Sequence, residues 1–373
     1  LRAGSDALRL RIDGGLAEEA WRGAVAMAEL EERHVGVWRL VDAAPLVLSA
    51  QTSSLGELCL AEAAGGRICA QGDFTAGGAW QAEALFDNVS LAQVPADMLN
   101  DVRLEGRMSG RLEAEGENGA LRVAGLELTT GTGAALLSHA DGNRRKIAWR
   151  DNTLRATFAD KRLSAQGQGV LADGSAISAS LRLEDLQTAP YSFKQSRIDG
   201  EARIEIKDLR PLAALVYPAA DPSGRLRGDL KVAGSAVAPQ MALSLALSEG
   251  EVRIPPLGIG LGGLAMKMDG TYPTYRLSLA GASGGRLRGE GELSLADRQS
   301  PELRLKIQGE GFTLARLPEL DLLISPDVEA GWRGDQVEVR GMIVVPEARF
   351  APRDLAGAVS PSADVVGYRL YWG

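Results

Sequence analysis

The sequence predicts an all-β protein: one elongated, repetitive β-groove, a curved taco-like sheet with an aliphatic interior and a few short helices. Three observations carry the prediction. Apolar and polar residues alternate with period two in roughly twenty short segments, the pattern of strands with one buried and one wet face. Glycine accounts for 45 of 373 residues, about 12% against a usual ~7%, without the every-third spacing of collagen. A helix-like segment followed by a Gly-rich alternating run also recurs at intervals of ~105 to 120 residues, which favours stacked units over a closed sandwich.

At the N-terminus, Leu8, Leu10 and Ile12 alternate with Arg9, Arg11 and Asp13. Trp21, Trp38 and Trp80 fall in the first hundred residues and read as packing or as a seam between units, with a carbohydrate platform the weaker reading. Cys59 and Cys69 lie in short apolar strands at 57–61 and 66–70. Their spacing suits a cross-hairpin disulfide of ~2 to 3 kcal/mol, persistent only in an oxidising compartment; the alternative is two buried free thiols. Leu181 and Leu183, then Ile204 and Ile206, continue the alternation, the latter pair against Arg203, Glu205 and Lys207.

The densest stretch runs from Gly224 to Leu295. Leu243, Leu245 and Leu247 point one way and Ser244, Ala246 and Ser248 the other; Leu277, Leu279, Leu293 and Leu295 repeat the pattern. Its glycines read as breaks between strands. Leu303, Leu305 and Ile307 then alternate with Arg304 and Lys306. The segments 88–101, 207–218 and 312–321 depart from period two and read as short helices, each carrying a leucine at Leu91, Leu209 or Leu314. The recurrence divides the chain into units 1–101 (with the paired cysteines), 102–218, 219–321 (Gly-rich) and a truncated 322–373, stacked as one continuous groove.

Composition narrows the function. Hydrophobic residues make up 45% but aromatic ones only 5%, so the apolar face is aliphatic. A net charge of −8 with a pI near 5.1 opposes phosphate neutralisation, and no nucleic-acid partner is expected. No run reaches the length of a membrane-spanning helix. The chain begins at Leu1, so any anchor or signal peptide is expected outside it.

Apparent catalytic motifs fail on context. Gly258, Gly260 and Gly263 match the dinucleotide-binding glycine pattern, but an alternating strand follows where a helix is needed. Gly281, Ser283 and Gly285 match a nucleophile elbow, yet His34 and His139 both precede it. Two thiols and two remote histidines make no zinc site, and the carboxylates alternate with Arg and Lys as solvated cross-strand pairs. No enzyme activity, metal or cofactor is expected.

The run from Gly234 to Gly270, followed by Gly284 to Leu293, resembles the repeats of the TamB family within the AsmA-like superfamily. The early segment with Trp21, Trp38, Cys59 and Cys69 is similar to that family's tryptophan and paired-cysteine region, and Val345, Pro346 and Ala348 match its I-P-x-A element. The resemblance implies a periplasmic groove between inner and outer membranes, anchored to the inner membrane in the full-length protein, with the anchor and the terminal domain after Val366 outside this chain. It also implies a TamA-like outer-membrane partner, outer-membrane or autotransporter substrates, and a part in moving phospholipids. Beside it, the residues themselves favour a lipid conduit in which phospholipid acyl chains lie on Leu181, Leu183, Ile204, Ile206, Leu243, Leu245, Leu247, Leu277, Leu279, Leu293, Leu295, Leu303, Leu305 and Ile307. The alternatives are a scaffold whose strand edges template β-barrel strands, and a polysaccharide-acting parallel β-helix, for which the required carboxylate cluster is absent. Alternation alone leaves open whether the apolar faces meet in a dry core or line an open groove.

Overall fold

The computed structural model describes residues 2–3, 6–32, 36–94, 99, 102–138, 144–188, 191–210, 221–254, 259–297, 300–316, 320–334 and 336–350. Period-two segments become strands almost without exception. The first third gives β1 (Arg2–Ala3), β2 (Asp6–Ala17), β3 (Ala20–Glu32), β4 (Gly36–Leu40), β5 (Ala44–Ser49), β6 (Thr52–Glu62), β7 (Arg67–Thr75), β8 (Ala79–Ser90) and β9 (Arg103–Glu105). The middle gives β10 (Arg107–Glu117), β11 (Ala120–Thr130), β12 (Gly133–Ser138), β13 (Arg144–Ala159), β14 (Arg162–Leu171), β15 (Ala176–Glu184), β16 (Gln187–Thr188), β17 (Tyr191–Ser192) and β18 (Arg197–Ile206). The last third gives β19 (Asp221–Ser235), β20 (Ala238–Ile254), β21 (Ile259–Thr271), β22 (Thr274–Ser283), β23 (Gly285–Ser294), β24 (Glu302–Glu310), β25 (Phe312–Arg316), β26 (Leu320–Arg333) and β27 (Gln336–Phe350).

Twenty-five of these strands form one sheet, and β16 and β17 form a two-stranded side ribbon. The pairings are antiparallel and follow the chain as a meander, so each strand is laid beside the one before it. Where a rung is shared by two short strands, the chain bends instead of crossing over. Thus β9 continues β10 through Gly106, at φ 123, and pairs with β12 as β10 pairs with β11.

The two rims of the sheet are built differently. One is trimmed with two-residue hairpins in which both central residues have positive φ: Glu18 and Glu19 (50 and 65), Asn118 and Gly119 (50 and 78), Asp160 and Lys161 (51 and 59). Such primed turns match the twist of the strands they join. The other rim carries longer connections, among them the 3-10 turn Leu91–Gln93, capped by Ser90. At this rim the tip of the β22–β23 hairpin stops short, and Ile259 of β21 pairs directly with Ala315 of β25. Two strands separate β21 from β24 elsewhere and none does here, which bends the sheet locally. Phe312 and Ala315, each 1% exposed, fill the bend.

Two sequence expectations need correction, and two others fall partly outside the described residues. Segment 312–321 holds no helix among its described residues but strand β25 and the start of β26; Gly311, at φ 56, turns the chain, and cross-strand pairing with Ile324, Leu323 and Leu322 overrides the weak helical spacing. In 88–101 the described helical residues are the 3-10 turn Leu91–Gln93 and a 3-10 residue at Leu99, and of 207–218 only 207–210 are described, ending in a 3-10 residue at Arg210. The glycines of the Gly224 to Leu295 stretch are mostly not breaks: Gly228, Gly270, Gly289 and Gly291 sit inside continuous strands. Of the proposed unit boundaries, 101/102 borders an undescribed residue, 218/219 falls on undescribed residues, and 321/322 falls within β26.

Candidate functional site

Each long strand sends alternate side chains to opposite faces, and the register carries that division across the whole sheet. From Leu243 in β20, successive cross-strand partners toward the N-terminus are Leu230, Ala202, Ala179, Gly167, Leu154, Leu128, Gly110, Phe86, Ile68, Leu60 and Leu40. Toward the C-terminus they are Gly270, Tyr275, Leu293, Leu303, Trp332 and Val337. Eighteen strands contribute to this row and none contributes a charge. The adjacent row through Ser244 is its inverse: Asp229, Arg203, Ser178, Gln168, Thr153, Thr129 and Ser109 one way, and Asp269, Arg276, Glu292, Arg304, Gly331 and Glu338 the other.

Glycine shapes the apolar floor. A Cβ added at Gly228 would stand 2.5 Å from Leu245 Cδ2 and 2.9 Å from Ile204 Cγ1, so those side chains fold over the glycine from both neighbouring strands. Trp21 lies over Gly14 (2.5 Å) and Trp149 over Gly133 (2.6 Å) in the same manner, and Trp80 covers Gly116. The glycines are seats for larger cross-strand neighbours, which smooths the floor.

No second layer covers this floor among the described residues. Leu112, Leu154 and Ile177 are 37%, 40% and 43% exposed, far from the burial of a dry core. The accessible surface is 24454 Å², against about 14,000 Å² for a compact monomer of this mass. Burial is confined to points such as the cluster of Val25, Ala28 and Ala44 and Trp38, 1% exposed.

The polar face is held by cross-strand ion pairs. Glu29 sits between Arg39 (3.1 Å) and Arg9, and the Arg39 hydrogen bond, helped by Arg9, holds its carboxyl below the usual carboxylate range. Glu302 is held low by Arg333 and Arg304, at 2.9 and 2.7 Å. Such exposed pairs fix register more than they add stability. Cys59 and Cys69 face each other across β6 and β7 as a disulfide, with Cα atoms 4.0 Å apart. Glu57 groups with the two sulfurs, but sulfurs bonded to each other offer no thiolate to a metal.

Of the fourteen residues expected to line the groove, those within strands share the apolar floor. Leu181 and Leu183 pair with Gly200 and Ile198, Leu247 with Leu226 and Met266, Leu277 and Leu279 with Gly291 and Gly289, and Leu305 and Ile307 with Ala330 and Val328. Ile206 is 3% exposed, so it is packed rather than lining. Leu295 lies just past the end of β23, its N–H donating to the Pro273 carbonyl. The sequence reading missed the floor's first half, Leu112, Leu126, Leu128, Leu154, Ile68 and Phe86, because alanine and glycine interrupt the aliphatic signal there. Gly260 and Gly263 lie in β21, and Ser283 at the β22–β23 turn; His34 and His139 are outside the described residues.

Comparison with protein families is decisive. Residues 1–247 match the model of the TamB N-terminal domain, and residues 276–367 that of the TamB C-terminal domain. The chain belongs to the TamB family. TamB proteins are non-enzymatic components of outer-membrane assembly and transport. No curated protein and no solved structure matches. The two TamB matches meet within one uninterrupted ladder, β20 to β22, so the groove passes through both regions without a seam.

Proposed function

We propose that this TamB-family chain carries phospholipids along its apolar floor through the periplasm, supporting outer-membrane protein assembly together with a TamA-like outer-membrane partner. The observation that carries the reading is the charge-free row from Leu40 to Val337 with its polar counterpart one residue away. Acyl chains lying on the floor lose contact with water while head groups project past a rim. Each buried methylene contributes ~0.8 kcal/mol, so a sixteen-carbon chain gains on the order of 10 kcal/mol before ordering costs. Equivalent aliphatic side chains at successive strands give similar binding energy at successive positions, which permits sliding.

Native mass spectrometry tests this. The purified chain retains phospholipid, and Leu245→Asp combined with Leu154→Asp lowers occupancy several-fold while Ser244→Asp does not; lipid-free protein, or retention that ignores floor charges, contradicts the reading. The templating alternative draws on one feature: among the described residues β27 pairs only with β26. It leaves the rest of the apolar floor without a task, and it requires crosslinks from β27 to nascent barrel proteins together with tolerance of floor charges.

A further inference from the structure

We propose that phospholipids lie across the first part of the floor in one orientation, with the glycerol-ester region on an aromatic lip at the hairpin-trimmed rim of β2 to β11 and the acyl tails pointing inward along the strands. The proposal rests on the lipid-carrying reading above and adds to it the rim by which head groups leave. The lip is one cross-strand row, running from Leu16 through Trp21, Leu48, Phe74 and Trp80 to Leu121. Each of these residues stands one position inside the end of its strand, beside the turn, and none carries a charge.

The two rims of these strands differ in cover. At the lip Leu16, Leu48 and Phe74 are 80%, 45% and 49% exposed, and tight turns such as Glu18–Glu19 and Asn118–Gly119 are too short to fold back over the row. At the opposite rim Trp38 and Val89 are 1% and 5% exposed, and Leu91 of the longer connection is 7% exposed. Gln93 of that 3-10 turn donates to the Glu62 carboxylate at 2.6 Å, which ties the connection down beside the end of β6. A lipid on this part of the floor therefore meets water at the lip and protein at the other rim.

The chemistry of the lip suits that boundary. An indole joins an apolar body to a polar N–H and collects where apolar surface meets head groups and water. Trp21 lies over Gly14 and Gly23, and Trp80 over Gly116. Neither indole N–H donates to a protein group among the described residues, and neither is shut away from solvent, so both are open to an ester carbonyl or phosphate oxygen. Just inside Phe74 and Trp80 the row changes to Gly72, Ala82, Ala114 and Ala124, a trough for the first methylenes. An acyl chain spans ~15 Å, half of a ~30 Å hydrocarbon core, and rows on one face are ~6.8 Å apart. Its tail therefore ends two rows in from the lip, at Ala84, Leu112 and Leu126.

Photo-crosslinking of the purified 373-residue chain tests the orientation. Two phosphatidylcholine probes are used, one with a diazirine near the acyl carboxyl and one with a diazirine at the chain end, and adducts are mapped by peptide mass spectrometry. The near-carboxyl probe is expected at Trp21, Phe74 and Trp80, and the chain-end probe at Leu112 and Leu126. Trp80→Phe keeps an apolar ring and removes the donor, so it lowers phospholipid retention roughly threefold to tenfold while the melting temperature stays unchanged. Near-carboxyl adducts at Val89 and Met108 on the opposite rim, or equal labelling of both rims by both probes, overturn the orientation and leave the lipid-carrying reading standing. Undiminished retention by W80F overturns the part given to the indole donor. No adduct on the floor with either probe removes the lipid-carrying reading and the orientation together.

Discussion

At the scale of single residues, glycine is the informative side chain. Gly228 has a neighbour folded over it from each side, and Gly125 has nothing within 4 Å of where a Cβ would stand. Gly228→Leu therefore overpacks the floor against Leu245 and Ile204 and costs ~1 to 3 kcal/mol. Gly125→Ala is neutral or stabilises by up to ~1 kcal/mol, because it restricts the unfolded chain. Thermal denaturation of the two variants reads both outcomes; equal melting shifts would reduce the seats to incidental gaps. The sequence displayed an excess of glycine but not its role, since a glycine that separates strands and one that accepts a neighbour's side chain look alike until the register is known. Leu245 advertises itself by alternation, while Gly228, its cross-strand partner, does not.

At the scale of elements, period two was legible wherever aliphatic residues alternate with charges, as in β18, β20 and β24. It failed where local spacing and pairing disagree: Phe312 to Arg316 has helix-like spacing, yet it pairs with β26 and with Ala315 against Ile259 of β21. Contacts that distant in sequence leave no local trace. Ion pairs between rungs were visible only as charges on a wet face, and their electrostatics make a pH prediction for β2, β3 and β4. Glu29 joins these strands through Arg9 and Arg39, and the Arg39 hydrogen bond, helped by Arg9, holds its carboxyl below the ordinary glutamate range. A lowered folded-state value means that the contribution is fully present above about 4.5 and is lost as pH falls through the lower, folded value. Backbone resonances of β2 to β4 should thus shift with an apparent midpoint below that of a free glutamate, and Glu29→Gln should remove the transition; a midpoint at or above the free value contradicts the assignment.

At the scale of the whole molecule, a single meander replaces the core of a globular domain. About twenty rungs at ~4.8 Å give a floor of the order of 100 Å along the stacking direction. The class of fold and the existence of a two-faced sheet could be read from alternation, glycine excess and low aromatic content. Whether the faces close on each other could not, because a dry sandwich and an open groove share the same pattern; half-exposed leucines and the large accessible surface distinguish them. The continuity of the floor through both TamB regions is what makes a conduit physically coherent, since one buried charge across the path would impose a barrier that neighbouring strands cannot bypass.

The most direct test places a photo-crosslinking residue at Leu60, Leu154, Leu243 or Leu303 on the floor, and at Thr153 or Ser244 one position away on the polar face, and recovers the adducts from cells. A lipid-carrying floor predicts phospholipid adducts at all four floor positions and little at the two polar ones. Adducts absent from the floor, or equally abundant on both faces, would contradict it.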